Sequence, residues 1–224
     1  MATRRLPAGA RQRALLTVER LTLAYPDAHT ELDFGNSFQL LVAVILSAQT
    51  TDVRVNQVTP KLFERFPDAA AFAVVEQEEL EVWLRPTGFF RSKSRAVREM
   101  SQDLVRLHGG EVPPRMEDLV KLRGVGRKTA NVVLGVAFGT PGFPVDTHVQ
   151  RLTGRLRLTT AVEPEKIEAD ICRMVPPEEW TLLSLRLILH GRRVCAARRP
   201  RCAGCALNDF CPSAFAESPA RRRR

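Results

Sequence analysis

The segment Leu122-Arg123-Gly124-Val125-Gly126-Arg127-Lys128 restricts the chain more than any other stretch of comparable length. Glycine enters left-handed backbone without steric cost and lets a neighbouring backbone come close. Two glycines around one valine therefore predict a tight turn, with the valine plugged into a core. Thr129 to Phe138 follows as a run of small and apolar residues suited to a closely packed helix. With Asp118 to Leu122 closing a preceding helix, the whole predicts a helix-hairpin-helix. Unpaired N–H groups and the dipole at the start of the second helix form an anion site. Gly124, Val125, Gly126 and Arg127 are thus candidate contacts to a phosphate of a nucleic-acid strand. Such contacts position a strand and read no sequence.

Lys128 falls in the first turn of that second helix, and Asp146 precedes Thr147-His148-Val149, the start of another. Each has two readings. Lys128 is either a solvated or phosphate-binding lysine, or an amine nucleophile. An amine attacks only when neutral, which calls for partial burial or nearby positive charge. The helix N-terminus and Arg127 supply the latter. Asp146 is either a helix N-cap or a carboxylate that stabilises a cationic sugar or assists proton transfer.

Four of the five cysteines occur as Cys195-x6-Cys202-x2-Cys205-x5-Cys211. So many thiols in so short a run, bounded by Pro200 and Pro212, suit one metal centre. A basic, polar start without a secretory pattern argues against disulfides. The spacing alone leaves tetrahedral zinc and a cubane iron–sulfur cluster open. Arg198, Arg199 and Arg201 lie between the first two cysteines and are candidate phosphate contacts. Cys172 continues a helical pattern with Ile167, Ile171 and Val175 and reads as a small apolar residue.

The 224 residues carry a net charge of +9, unevenly spread. Residues 1–30 hold five arginines against two acids, residues 191–224 nine against two, and the middle is close to neutral. Basic ends around a neutral middle point to a nucleic-acid partner. No apolar run reaches the roughly 18 residues that span a bilayer. The arginine-rich residues 217–224 have the composition of a disordered tail.

Helical periodicity runs nearly throughout, without a convincing strand, and predicts about ten helices in an all-α fold. Asn36 or Ser37 caps an all-round apolar helix through Ser47, which must be central and buried. Thr59-Pro60 reads as an N-cap and first helical residue. Val97, Met100, Leu104 and Leu107 form an apolar stripe that ends at Gly109-Gly110. Val149, Leu152 and Leu156 form another, and Pro176-Pro177 starts a helix that ends at His190-Gly191.

Leu122 to Leu134 together with Val145-Asp146-Thr147-His148 resembles the helix-hairpin-helix DNA glycosylases, most closely the endonuclease III family. The cysteine spacing is similar to that family's iron–sulfur loop in every gap. The resemblance implies two helical domains with a DNA cleft between them: a central one over 30–140, and a cluster domain joining 1–29 to 141–224. It makes Lys128 a Schiff-base nucleophile, Asp146 the essential carboxylate, and Cys195, Cys202, Cys205 and Cys211 the ligands of a [4Fe-4S] cluster. It also suggests how a base is reached, since flipping one out costs a few kcal/mol. Gln49 matches a glutamine that enters the duplex. Phe89 stands where an apolar wedge, commonly leucine, inserts; Phe90 is expected to pack inward. Arg91, Lys93, Arg95 and Arg98 follow as expected phosphate contacts. Arg123 stands where the family commonly has proline, which predicts a looser turn and a more cationic grip. His148 is either near the pocket or structural, and His29, His108 and His190 have no assigned role.

The activity implied is a bifunctional glycosylase and abasic-site lyase for oxidised pyrimidines. The substrate is double-stranded DNA with an oxidised base or abasic site, the protein a monomer in the bacterial cytoplasm at the nucleoid. A monofunctional adenine-removing relative would need an acid in the helix at 38–48, where none occurs. A non-catalytic helix-hairpin-helix module would explain the glycines and the charge, but neither Lys128 with Asp146 nor the cysteines.

Overall fold

The computed structural model describes residues 5–216. They form eleven α-helices: α1 (Ala10–Ala24), α2 (Ser37–Leu46), α3 (Asp52–Arg65), α4 (Ala69–Val74), α5 (Gln77–Leu84), α6 (Phe90–His108), α7 (Met116–Leu119), α8 (Arg127–Ala137), α9 (Thr147–Arg155), α10 (Pro164–Cys172) and α11 (Trp180–Arg193). Among the described residues there is no strand. The tail expected at 217–224 lies outside them. The chain divides into two compact units, Thr30–Gly142 and the segment up to His29 with that from Phe143 onward.

In the unit Thr30–Gly142, α2 is the centre. Asn36 accepts a hydrogen bond from the Gln39 N–H at 2.9 Å, and the Gln39 side chain accepts from the Gly35 N–H at 2.7 Å. This reciprocal cap satisfies amides that the helix cannot. Leu40, Leu41, Val42, Ala43 and Leu46 are fully buried, and α3, α6 and α8 pack around them. α3 departs from expectation. Its N-cap is Thr51, whose hydroxyl accepts from the Arg54 N–H, and Pro60 lies inside it. Val55, Thr59 and Leu62 form its buried stripe, and that packing offsets the ladder bond that proline cannot donate. α6 presents Val97, Met100 and Leu104 to the core and ends at Gly109 with φ 62°. Leu107 is exposed, against expectation; buried Ser101 and Asp103 flank the stripe instead.

In the other unit, Ala10, Ala14, Thr17 and Leu21 line the buried face of α1, which packs on α11. Arg13 ties it to the end of α9 by donating to the carbonyls of Leu156 and Arg157, both at 2.8 Å. Val149, Leu152 and Leu156 are buried as their spacing predicts. α11 starts after a 3₁₀ turn at Pro177–Glu179 and runs to Arg193, past the expected stop at His190-Gly191.

Candidate functional site

The hairpin forms between α7 and α8. Leu122 and Val125 are buried, and the Val125 N–H donates to the Leu122 carbonyl at 3.1 Å. Gly124 has φ +80°, and a Cβ there would lie 3.0 Å from the Ala96 Cβ. Both facts demand glycine. Gly126 differs from expectation: its φ is −89° and a Cβ would meet open space. It caps α8 with no side chain, while Arg127 and Lys128 stand exposed in the first turn. The first-turn amides of an α-helix lie outside its own ladder, so this end suits an anion.

Arg123 corrects the expectation of a more cationic grip. Its guanidinium turns back onto α6 and forks Asp103, at 2.9 Å from Oδ2 and 3.0 Å from Oδ1, while its own N–H donates to Oδ2 at 3.0 Å. Hydrogen bonds from Arg123, and then Arg106, hold the buried Asp103 carboxyl far below the usual carboxylate range. The charge of Arg123 is therefore largely neutralised, and the turn is anchored rather than loosened.

Asp146 is the N-cap of α9. Its Oδ1 accepts from the N–H groups of His148 and Val149, both at 2.8 Å. Next to it, His148 is half-buried, with Nδ1 3.1 Å from an Arg151 nitrogen. Burial foremost, and then Arg151 and Arg192, push His148 down, against the pull of Asp146. Gly191, expected only as a helix stop, has a packing role: a Cβ would lie 2.9 Å from His148.

The two loops that resemble duplex-inserting segments have strained tips. Gln49 has φ +54° and Phe89 φ +46°. Both are exposed, Phe89 at 62%. Phe90 packs against the core, with the Arg91 and Arg85 guanidinium groups 5.2 and 5.7 Å from its ring centre. Arg91 and Arg95 are exposed. Two expected phosphate contacts are corrected. Lys93 is buried, and its amine donates to the Thr50 hydroxyl and the Thr87 carbonyl. Arg98 donates from Nε to the Val75 carbonyl at 2.8 Å.

Cys195, Cys202, Cys205 and Cys211 are half-buried and outside any disulfide. Arg155 donates to the Cys195 sulfur at 3.1 Å, and the Leu207 N–H donates to the Cys205 sulfur at 3.4 Å. Cys205 and Cys211 are pushed up by burial and then by the other cysteines of the set. Among the described residues no three such ligands converge on a single ion position. His190, without an assigned role in the sequence, is buried between Tyr25, whose hydroxyl lies 3.0 Å from Nδ1, and Cys205, whose sulfur lies 3.3 Å from Nε2. Burial pushes His190 down to about 4, so the ring is neutral, with one nitrogen a donor and the other an acceptor between the Tyr25 hydroxyl and the Cys205 sulfur. The one available signal was its place in the last turn before Cys195. Arg198 and Arg199 are exposed, whereas Arg201, also exposed, donates to the Arg193 carbonyl.

Residues 42–177 match the HhH-GPD superfamily of base excision DNA repair proteins. Endonuclease III of Synechocystis sp. is 50% identical over 210 residues, 93% of this chain and 96% of that protein. Endonuclease III of Escherichia coli K12 is 41% identical over 192 residues, 86% of this chain and 91% of its own. A trapped endonuclease III–DNA covalent intermediate, an estranged-adenine complex, superposes with a TM-score of 0.86 at 40% identity, covering 96% of this chain and 98% of that one. A thermostable thymine-DNA glycosylase shares the fold at a TM-score of 0.83 and 19% identity, over 91% of this chain and 97% of that one. This chain belongs to the endonuclease III family of the HhH-GPD base excision repair superfamily.

Proposed function

We propose that this protein is a bifunctional DNA glycosylase and abasic-site lyase that removes oxidised pyrimidines from duplex DNA. The observation that carries the reading is the exposed Lys128 in the first turn of a helix whose N-terminus is open and preceded by the Gly124 turn. The turn and amides hold a backbone phosphate, and the amine beside them meets the sugar. The neutral Nζ attacks C1′. The N–C1′ bond forms as the glycosidic bond breaks, its electron pair leaves with the base, and the base takes up a proton. Asp146, fixed by two backbone N–H donors, stabilises the positive charge that develops on the sugar. Ring opening leaves a protonated imine to Lys128, which acidifies the C2′ proton. Loss of that proton expels the 3′ phosphate by β-elimination, and water then releases the lysine.

Cys195, Cys202, Cys205 and Cys211 would hold a [4Fe-4S] cluster. The donor set fits: four thiols in one short loop, with N–H donors aimed at the Cys195 and Cys205 sulfurs, as cluster sulfurs require. A cubane takes each thiolate on a different iron, so the sulfurs need not converge on one ion. When bound, the cluster would hold residues 195–211 together and would supply no atom to the reaction at the sugar. Arg198 and Arg199, held out by that loop, contact phosphates. Iron analysis checks the assignment, with about four irons per chain expected. The protein acts as a monomer, and its setting is the bacterial cytoplasm at the nucleoid.

Borohydride reduction tests the central reading, on one duplex with an abasic site and one with an oxidised pyrimidine. Wild type is expected to give a covalent adduct on both. Lys128→Ala is expected to give none while its abasic-site affinity stays within about tenfold. A Lys128→Ala protein that nicks as fast as wild type would sink the mechanism.

A further inference from the structure

The buried amine of Lys93 has no place in the chemistry described so far. It is 4% exposed, and burial lowers its pKa. Taking an ammonium out of water is costly unless hydrogen bonds replace its hydration. Here the bonds go to two loops. Nζ donates to the Thr50 hydroxyl at 2.5 Å and to the Thr87 carbonyl at 2.8 Å. Thr50 in turn donates to the Thr87 carbonyl at 2.5 Å. Three groups from separate segments thus close a triangle, and Thr87 is anchored beneath by donating to the Leu84 carbonyl at 2.8 Å.

The triangle stands directly behind two strained tips. Thr50 follows Gln49, and Thr87 precedes Gly88-Phe89. Gln49 and Phe89 both hold left-handed backbone, which is unfavourable for residues with a Cβ. Such strain persists only where the surroundings over-determine it. A methylene stem alone would fill the space behind the tips, whereas only a multiple donor at position 93 can tie both loops to α6 at once. An amine held here is turned away from solvent.

We propose that Lys93 is a positioning residue that clamps the Gln49 loop to the Phe89 loop, so that both tips enter the duplex as one rigid unit beside the flipped nucleotide. This rests on the reading that those tips insert. The clamp acts on the opening of the duplex rather than on the chemistry at the sugar.

The test places 2-aminopurine opposite a tetrahydrofuran abasic analogue and compares lyase rates on duplex and single-stranded abasic DNA. Wild type is expected to unstack the fluorophore and raise its emission. Lys93→Met and Thr50→Val should each lose most of that rise, and their duplex rates should fall by at least about tenfold relative to their single-strand rates. Thr50→Ser, which keeps the hydroxyl, should restore both. If Lys93→Met does not fold, the Thr50 pair decides alone. Emission and rate ratio within about twofold of wild type in Lys93→Met and Thr50→Val would overturn the clamp. A Gln49→Ala/Phe89→Ala protein with the full rise in emission would instead remove the insertion reading on which the clamp rests.

Discussion

Arg123 shows how one side chain can replace a backbone constraint. Proline at this position would fix φ; arginine leaves the backbone free but bonds Asp103 through the backbone N–H and both arms of a fork. Bidentate pairs to a buried carboxylate are among the stronger polar contacts. Arg123→Ala is therefore expected to cost about 1–3 kcal/mol by urea unfolding, even though half of that side chain is exposed. The pH dependence has a definite sign. Asp103 is depressed in the fold, so the unfolded chain takes up its proton first, from about pH 4 downward. The stabilisation is complete above that range and fades as the pH falls below it. The stability gap between wild type and Asp103→Asn should thus be constant from pH 7 to about pH 5 and shrink below about pH 4. A gap that persists unchanged at about pH 3 would show that Asp103 matters by shape and not by charge.

The helix-hairpin-helix separates what glycine does for the fold from what it does for a ligand. The Gly-Val-Gly pattern made the turn legible, as apolar spacing did for α2 and α9. It could not show that the two glycines differ, because φ and the approach of Ala96 arise only when α6 packs against the turn. Likewise, the Thr59-Pro60 signal was overridden by the buried stripe of α3, and the amine of Lys93 looked like surface charge until Thr50 and Thr87 were brought to it. Distinct outcomes follow for the glycines. Gly124→Ala, at φ +80° and 3.0 Å from the Ala96 Cβ, should lose about 1–2 kcal/mol of stability and, with the turn displaced, DNA affinity as well. Gly126→Ala adds a methyl where the fold has room, so its melting temperature should stay close to that of wild type. Its abasic-duplex affinity should still fall by about tenfold, because under the proposed phosphate grip the methyl would occupy the space that the phosphate enters. Thermal melts beside fluorescence anisotropy check both. Equal loss of stability at the two positions would refute the distinction.

Across the whole chain, charge is the property that sequence conveys best and local geometry then edits. The terminal segments carry the whole of the net +9, the middle being slightly negative, yet individual arginines are not equivalent. Arg123 is bound to Asp103, Arg98 to the Val75 carbonyl and Arg201 to the Arg193 carbonyl, whereas Arg198 and Arg199 stand exposed on the cysteine loop. Phosphate contacts release counterions, and each contributes about −0.9 to the slope of log K against log salt concentration. An Arg198→Ala/Arg199→Ala protein is therefore expected to bind with a slope shallower by about 1.8. The weakening should be equal for intact and abasic duplexes, because phosphate contacts carry no information about the base. The lyase rate at saturating DNA should not change, since neither arginine belongs to the chemistry at the sugar. Anisotropy titrations across a salt series measure the slope, and single-turnover nicking measures the rate. An unchanged slope would mean that the loop arginines serve only solubility. A loss confined to the abasic duplex would place them at the lesion instead of along the backbone.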